Sequence, residues 1–138
     1  MQHLARRATQ ALSILTIGWL APAGVAMAEY RYSPQYETCM DKADLGALKN
    51  SQWAACADQE LKKVDAVLNT YYRKLQQQLE PEQREALKKS QRAWLQYREA
   101  RCSFEALGPV APGGAASQSL CMLEMTAQKA DYLRDLLP

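Results

Sequence analysis

Apolar residues recur at three- and four-residue steps along most of this chain, and no alternating apolar run is long enough to nominate a strand. The clearest stripe is Trp53, Leu61, Val64, Leu68, Tyr71, Leu75 and Leu79. It marks one face of a helix that starts at Asn50 or Ser51 and runs for about 40 Å. Glu80-Pro81 ends this helix. Proline is tolerated in a first helical turn, so Pro81 also opens the next helix, which runs to about Glu105 with Glu82 and Glu85 near its positive end. Its inward candidates are Leu87, Trp94 and Tyr97, while Ala86, Ser90, Ala93 and Ala100 are small enough for a neighbouring helix to approach closely. Upstream, Ser33 can cap a short helix with Pro34 in its first turn, ending near Ala43 before a break at Gly46. Downstream, Leu107 to Ser119 (LGPVAPGGAASQS) has the chemistry of a loop. A last helix, from about Leu120 to Leu136, offers Leu123, Ala127, Ala130 and Leu133 to the core. The expected fold is all-α, a small helical bundle built on a long antiparallel helical hairpin, because the connection at Pro81 is short.

A turn centred near Pro81 places Asp65 opposite Gln96, within one turn of Arg98. Asp65 and Arg98 are therefore expected to meet across the hairpin, with Asn69 and Tyr97 taking up the remaining donors and acceptors. Such a network could form a binding site, but partly buried charges need partners, and fixing the register of two long helices is the simpler role. Trp53 and Trp94 fall on apolar stripes and read as core. Tyr71-Tyr72 should leave at least one ring outward. Lys62-Lys63, Arg73-Lys74 and Lys88-Lys89 have acids and glutamines beside them, as an ordinary solvated face does.

Composition narrows the function. Residues 1–28 read as a signal peptide: His3, Arg6 and Arg7 give a positive start, Ala8 to Leu20 is mostly apolar, and Ala26-Met27-Ala28 is a small-x-small cleavage site. The apolar run is too short and too interrupted for a spanning helix, so no transmembrane segment is expected after cleavage. The mature domain is then 29–138, periplasmic or secreted. Removing Arg6 and Arg7 from the 17 Lys and Arg leaves 15 against 15 Asp and Glu, and a neutral domain is a poor partner for nucleic acid. The only histidine is His3, which removes Ser-His-Asp and Cys-His catalysis and every histidine metal site from the mature part. No pair of carboxylates stands out as acid and base. No enzyme, metal or cofactor is expected.

Four cysteines, Cys39, Cys56, Cys102 and Cys121, all lie in the mature part, and an even count in a small exported chain reads as two disulfides. Successive separations of 17, 46 and 19 residues lack zinc-knuckle spacing. Pairing Cys39 with Cys56 and Cys102 with Cys121 closes two short local loops. The hairpin register also brings Cys56 near Glu105, so a bridge between Cys56 and Cys102 is the second choice.

The segment Gln91 to Cys102, QRAWLQYREARC, sets two aromatics, an arginine and a cysteine on one helix. Together with Asp65-x-x-Leu68-Asn69-x-x-Tyr72 and the four-cysteine frame, it resembles the LprI-like lysozyme-inhibitor family, from Cys39 to Leu133. The matching positions are Asp65, Leu68, Asn69, Tyr72, Gln91, Trp94 and Arg98. The family's late Thr-x-x-Arg pattern appears here as Thr126-Ala127-Gln128-Lys129, and lysine cannot supply arginine's bidentate contact. The resemblance implies an exported protein that binds a protein partner in the cell envelope, with a lysozyme as the named target. Entry into a sugar-binding cleft needs a protruding, rigid segment. The best candidate is the loop carrying Gly108, Pro109, Pro112, Gly113, Gly114 and Ser117, its ends pinned by a bridge between Cys102 and Cys121. The alternative class is an envelope adaptor, chaperone-like or toxin-neutralising protein that works through the face of the hairpin.

Overall fold

A computed structural model describes residues 29–43, 50–108 and 113–138; the expected leader, 1–28, lies outside the described residues. Among the described residues are four helices and no strand: α1 (Pro34–Lys42), α2 (Asn50–Gln78), α3 (Pro81–Leu107) and α4 (Gly114–Asp135). The starts of α1 and α3 have a local cause. At α1, Pro34 occupies the first turn and the Ser33 hydroxyl accepts from the Tyr36 amide at 3.3 Å. At α3, the Glu80 amide donates to Gln83 Oε1 at 3.2 Å, and Arg84 reaches back to donate to the Leu79 carbonyl at 3.0 Å. That last bond fastens the turn between the two long helices.

The fourth helix organises the bundle. Its buried residues include Cys121, Leu123, Met125, Thr126, Ala127, Ala130 and Leu133, which point in several directions around the axis, as expected for a helix enclosed by its neighbours. Along one side, Leu123 and Ala127 pack with Ala57 and Val64 of α2, and Ala130 and Leu133 pack with Leu68 and Leu75. Toward α3, Met125 and Cys121 pack with Cys102. Helices α2 and α3 are consecutive but approach each other little, because α4 contacts both. Cys102 is the only buried residue of α3.

Two disulfides staple this arrangement, Cys39 to Cys56 between α1 and α2, and Cys102 to Cys121 between α3 and α4. The local pairing is the one formed, and the alternative bridge from Cys56 to Cys102 is not. Cα separations of 5.7 and 5.4 Å suit an unforced bridge.

The fourth helix starts at Gly114 and not near Leu120. Gly113 and Gly114 adopt φ of 80° and 55°, a region open to glycine, and thereby turn the chain directly into helix. Ser117, expected in the loop, is buried one turn into α4, where its hydroxyl accepts from the Gly113 amide at 2.8 Å. Tyr97, expected inward, is 59% exposed. Tyr71 and Tyr72 are both half-buried against the cluster around Leu68, so neither ring is fully outward.

An extended strap, residues 29–33, crosses to α4 and α2 before α1 begins. The Tyr30 amide donates to Asp131 at 2.7 Å, and Tyr30, Tyr32 and Tyr36 lie against the cluster of Ala57, Val64, Leu123 and Ala127. Beneath the strap, Glu60 is 1% exposed. Its carboxylate accepts from the Ser33 amide at 2.7 Å and the Ser33 hydroxyl at 2.6 Å, and Lys63 lies 3.2 Å away. Burial alone would raise its pKa, but the Ser33 bonds and Lys63 outweigh burial and hold it below the ordinary value of 4.5.

Candidate functional site

The seven positions that carry the family resemblance separate into two groups once folded. Trp94 and Arg98 form a clamp between α3 and α4. Arg98 Nη1 donates to Thr126 Oγ1 at 2.7 Å, and the Thr126 hydroxyl donates in turn to the Met122 carbonyl at 2.6 Å. The Arg98 guanidinium lies 4.8 Å from the centre of the Trp94 ring, and Lys129 approaches the same ring at 5.8 Å. Lys129 thus joins the cluster as a point charge that also sits 4.6 Å from Tyr132. Burial pushes both the Arg98 and Lys129 pKa values down, and Asp65 partly opposes the effect on Arg98. Trp94, Arg98 and Lys129 are half-buried where α3 meets α4, and the cluster binds the two helices together.

Asp65 and Arg98 do not form the ion pair expected from the sequence. Asp65 accepts instead from Asn69 Nδ2 on its own helix at 2.9 Å, while Arg98 is drawn to Thr126. The physical reason is the position of α4, which offers α3 a nearer acceptor than α2 does. Tyr97 belongs to neither group. Asp65 acts on Arg98 only through space.

The second group lines a groove. Asp65, Leu68, Asn69 and Tyr72 of α2 face the same space as Lys88, Gln91, Arg92 and Leu95 of α3, around a volume of about 460 Å³. Segments 65–72 and 88–95 are those that a turn at Pro81 brings opposite one another. Leu68, 2% exposed and packed on Ala130 and Leu133, anchors its inner side. Polar groups stand among its apolar surface: Gln91 Oε1 is buried without a hydrogen-bond partner, and Tyr72 accepts at its hydroxyl from Gln76 at 3.0 Å. Such a volume is in the range of small-ligand sites.

A third candidate is the tip where α3 passes to α4. Phe104 and Leu107 are 68% and 91% exposed, while the Cys102 to Cys121 bridge below them fixes the two helices. Gly108 ends α3 and Gly113 precedes α4; Pro109 and Pro112 lie outside the described residues.

The family described as lysozyme inhibitor LprI matches residues 39–133, which include all four cysteines and both groups of signature residues. The chain belongs to the LprI lysozyme-inhibitor family. An uncharacterized protein of Rhizobium meliloti (strain 1021) is 31% identical over 148 residues, covering 96% of each chain. No solved structure is significantly similar. The LprI frame explains the cysteines and the clamp as one construction, since Cys102 and Arg98 lie one turn apart on α3 and both fasten it to α4.

Sequence reasoning singled out Asp65, Leu68, Asn69, Tyr72 and Gln91 without placing them in one groove; it missed Glu60, and it named Thr126 only within the Thr-x-x-Lys pattern. A glutamate inside an otherwise apolar stripe, between Ala57 and Val64, was the available signal for the first. Nothing in the spacing marked Thr126 as the partner of Arg98. Among the described residues no helix is long and apolar enough to cross a membrane, and no group of three His, Cys, Asp or Glu could hold a metal ion.

Proposed function

We propose that this protein is an exported inhibitor of a lysozyme-type peptidoglycan hydrolase, released into the periplasm or secreted after loss of residues 1–28. Membership of the LprI family carries the proposal. Two disulfides are consistent with an oxidising compartment. The contact surface is the tip: Phe104, Leu107, Gly108 and Gly113, with Pro109 and Pro112 between them. Exposed apolar side chains on a cross-linked support lose little freedom on binding, which is what a segment entering an enzyme cleft requires. Ser117, buried in α4, supports the tip from below.

The protein acts in stoichiometric complex with its target and not by turnover. In a cell-wall lysis assay, Leu107→Asp and Phe104→Asp each weaken inhibition at least tenfold, whereas Arg92→Gln in the groove leaves it unchanged. The opposite pattern would move the contact to the helical face. That outcome fits the second reading, an envelope adaptor, chaperone-like or toxin-neutralising protein, which the concentration of signature residues in the groove favours.

A further inference from the structure

The groove between α2 and α3 has a charge order that specifies a ligand. In the antiparallel pairing, Asp65 lies at the end near Leu95, and Tyr72 lies at the end near Lys88, with Asn69, Gln91 and Arg92 between. The groove therefore has a carboxylate at one end and cations at its middle and far end. From Asp65 to Tyr72 is about 10 Å along the helix, at about 1.5 Å per residue.

Its polar groups are incompletely used. The Asp65 carboxylate takes one bond, from Asn69, through Oδ2. Arg92 makes no hydrogen bond or ion pair among the described residues, and Lys88 is held only by an exposed pair with Glu85, a type of contact worth little. Gln91 Oε1 is buried and unpaired, a condition that native structures rarely leave uncompensated.

We infer that the groove binds a short zwitterionic peptide, with its free amine at Asp65 and its carboxylate at Arg92 and Lys88. Three extended residues span about 10 Å, matching the distance between the charged ends. A cation alone would meet Arg92 and Lys88, and an anion alone would meet Asp65; a ligand with both charges at this spacing satisfies all three. Peptides with a free amine and carboxylates arise both from general proteolysis and from hydrolysis of cell-wall stems. The inference stands independently of lysozyme inhibition.

The test is titration of the oxidised protein with tri-alanine, followed by backbone amide NMR shifts and calorimetry. N-acetylated and C-amidated tri-alanine serve as controls, and a wall-stem tripeptide forms a parallel arm. Saturable shifts confined to segments 65–72 and 88–95 are expected, with affinity falling at least tenfold on capping either end and in Asp65→Asn or Arg92→Gln. Tighter binding of the wall peptide assigns the source to the wall; equal binding assigns it to peptides generally. The inference is overturned if no free peptide shifts either segment at millimolar concentration, if capped peptides bind as well as free ones, or if Asp65→Asn and Arg92→Gln retain full affinity.

Discussion

Replacing Arg98 by alanine removes a charged hydrogen bond to Thr126 and a cation–π contact with Trp94. A hydrogen bond to a charged group contributes about 1.5–3 kcal/mol, and a partly desolvated cation–π contact about 1 kcal/mol. Against these stands the cost of keeping a half-buried guanidinium whose Nε has no partner, which the substitution relieves. The net loss should be about 2–3 kcal/mol. Thr126 keeps its bond to the Met122 carbonyl, so no new unpaired hydroxyl adds to that figure. A double-mutant cycle separates the contributions. Arg98→Ala with Thr126→Val should fall short of additivity by about 1–2 kcal/mol, because the two side chains share one bond. Arg98→Ala with Asp65→Ala should be additive to within about 0.5 kcal/mol, because the carboxylate acts only through space. Urea unfolding at neutral pH with both disulfides intact reads all of these values. Strict additivity of the first pair, or strong coupling of the second, would show that Arg98 reaches across to α2 in solution and that the clamp to α4 is not its role.

Three further outcomes follow from the fold. The oxidised protein should show no free thiol under denaturing conditions, and reduction should cost about 3 kcal/mol for each bridge on the chain-entropy model, so one or more reactive thiols per chain would contradict the pairing. Glu60 has a folded pKa below its ordinary 4.5, so its contribution is present above that value and is lost as pH falls through the lower folded value. Acid titration followed through Tyr30, Tyr32 and Tyr36 should therefore show release of the strap below about pH 4.5, a step absent in Glu60→Gln; an identical acid profile in the variant would refute it. Ser117→Val should destabilise α4 by about 1 kcal/mol through loss of its bond to the Gly113 amide, measured by thermal unfolding, and an unchanged melting temperature would place the helix start further along the chain.

Much of this fold was legible because its signals are local. Ser33-Pro34 and Glu80-Pro81 set helix starts through backbone chemistry that needs no tertiary context, and Glu80-Pro81 also closes α2 at Gln78. The cysteine pairing followed from loop length. The start of α4 did not, because Gly113-Gly114-Ala115-Ala116 carries no apolar period, and its helix is stabilised by the Cys121 bridge and by burial of Ala116 and Ser117. Periodicity placed Tyr97 on the inward face, yet the face of α3 is set by where α4 lies, and that is a tertiary fact. The same displacement sent Arg98 to Thr126. For the groove, the sequence supplied the residues and their approximate register, while their use as a lined space depends on α4 contacting both long helices and leaving α2 and α3 apart.

Titration of a fixed amount of muramidase with the oxidised protein, scored by lysis of purified cell walls, tests the inhibitor reading most directly. Inhibition should saturate near a one-to-one molar ratio, with only modest dependence on salt because residues 29–138 are formally neutral. Failure to inhibit any muramidase at large molar excess would contradict it and leave the adaptor reading in its place.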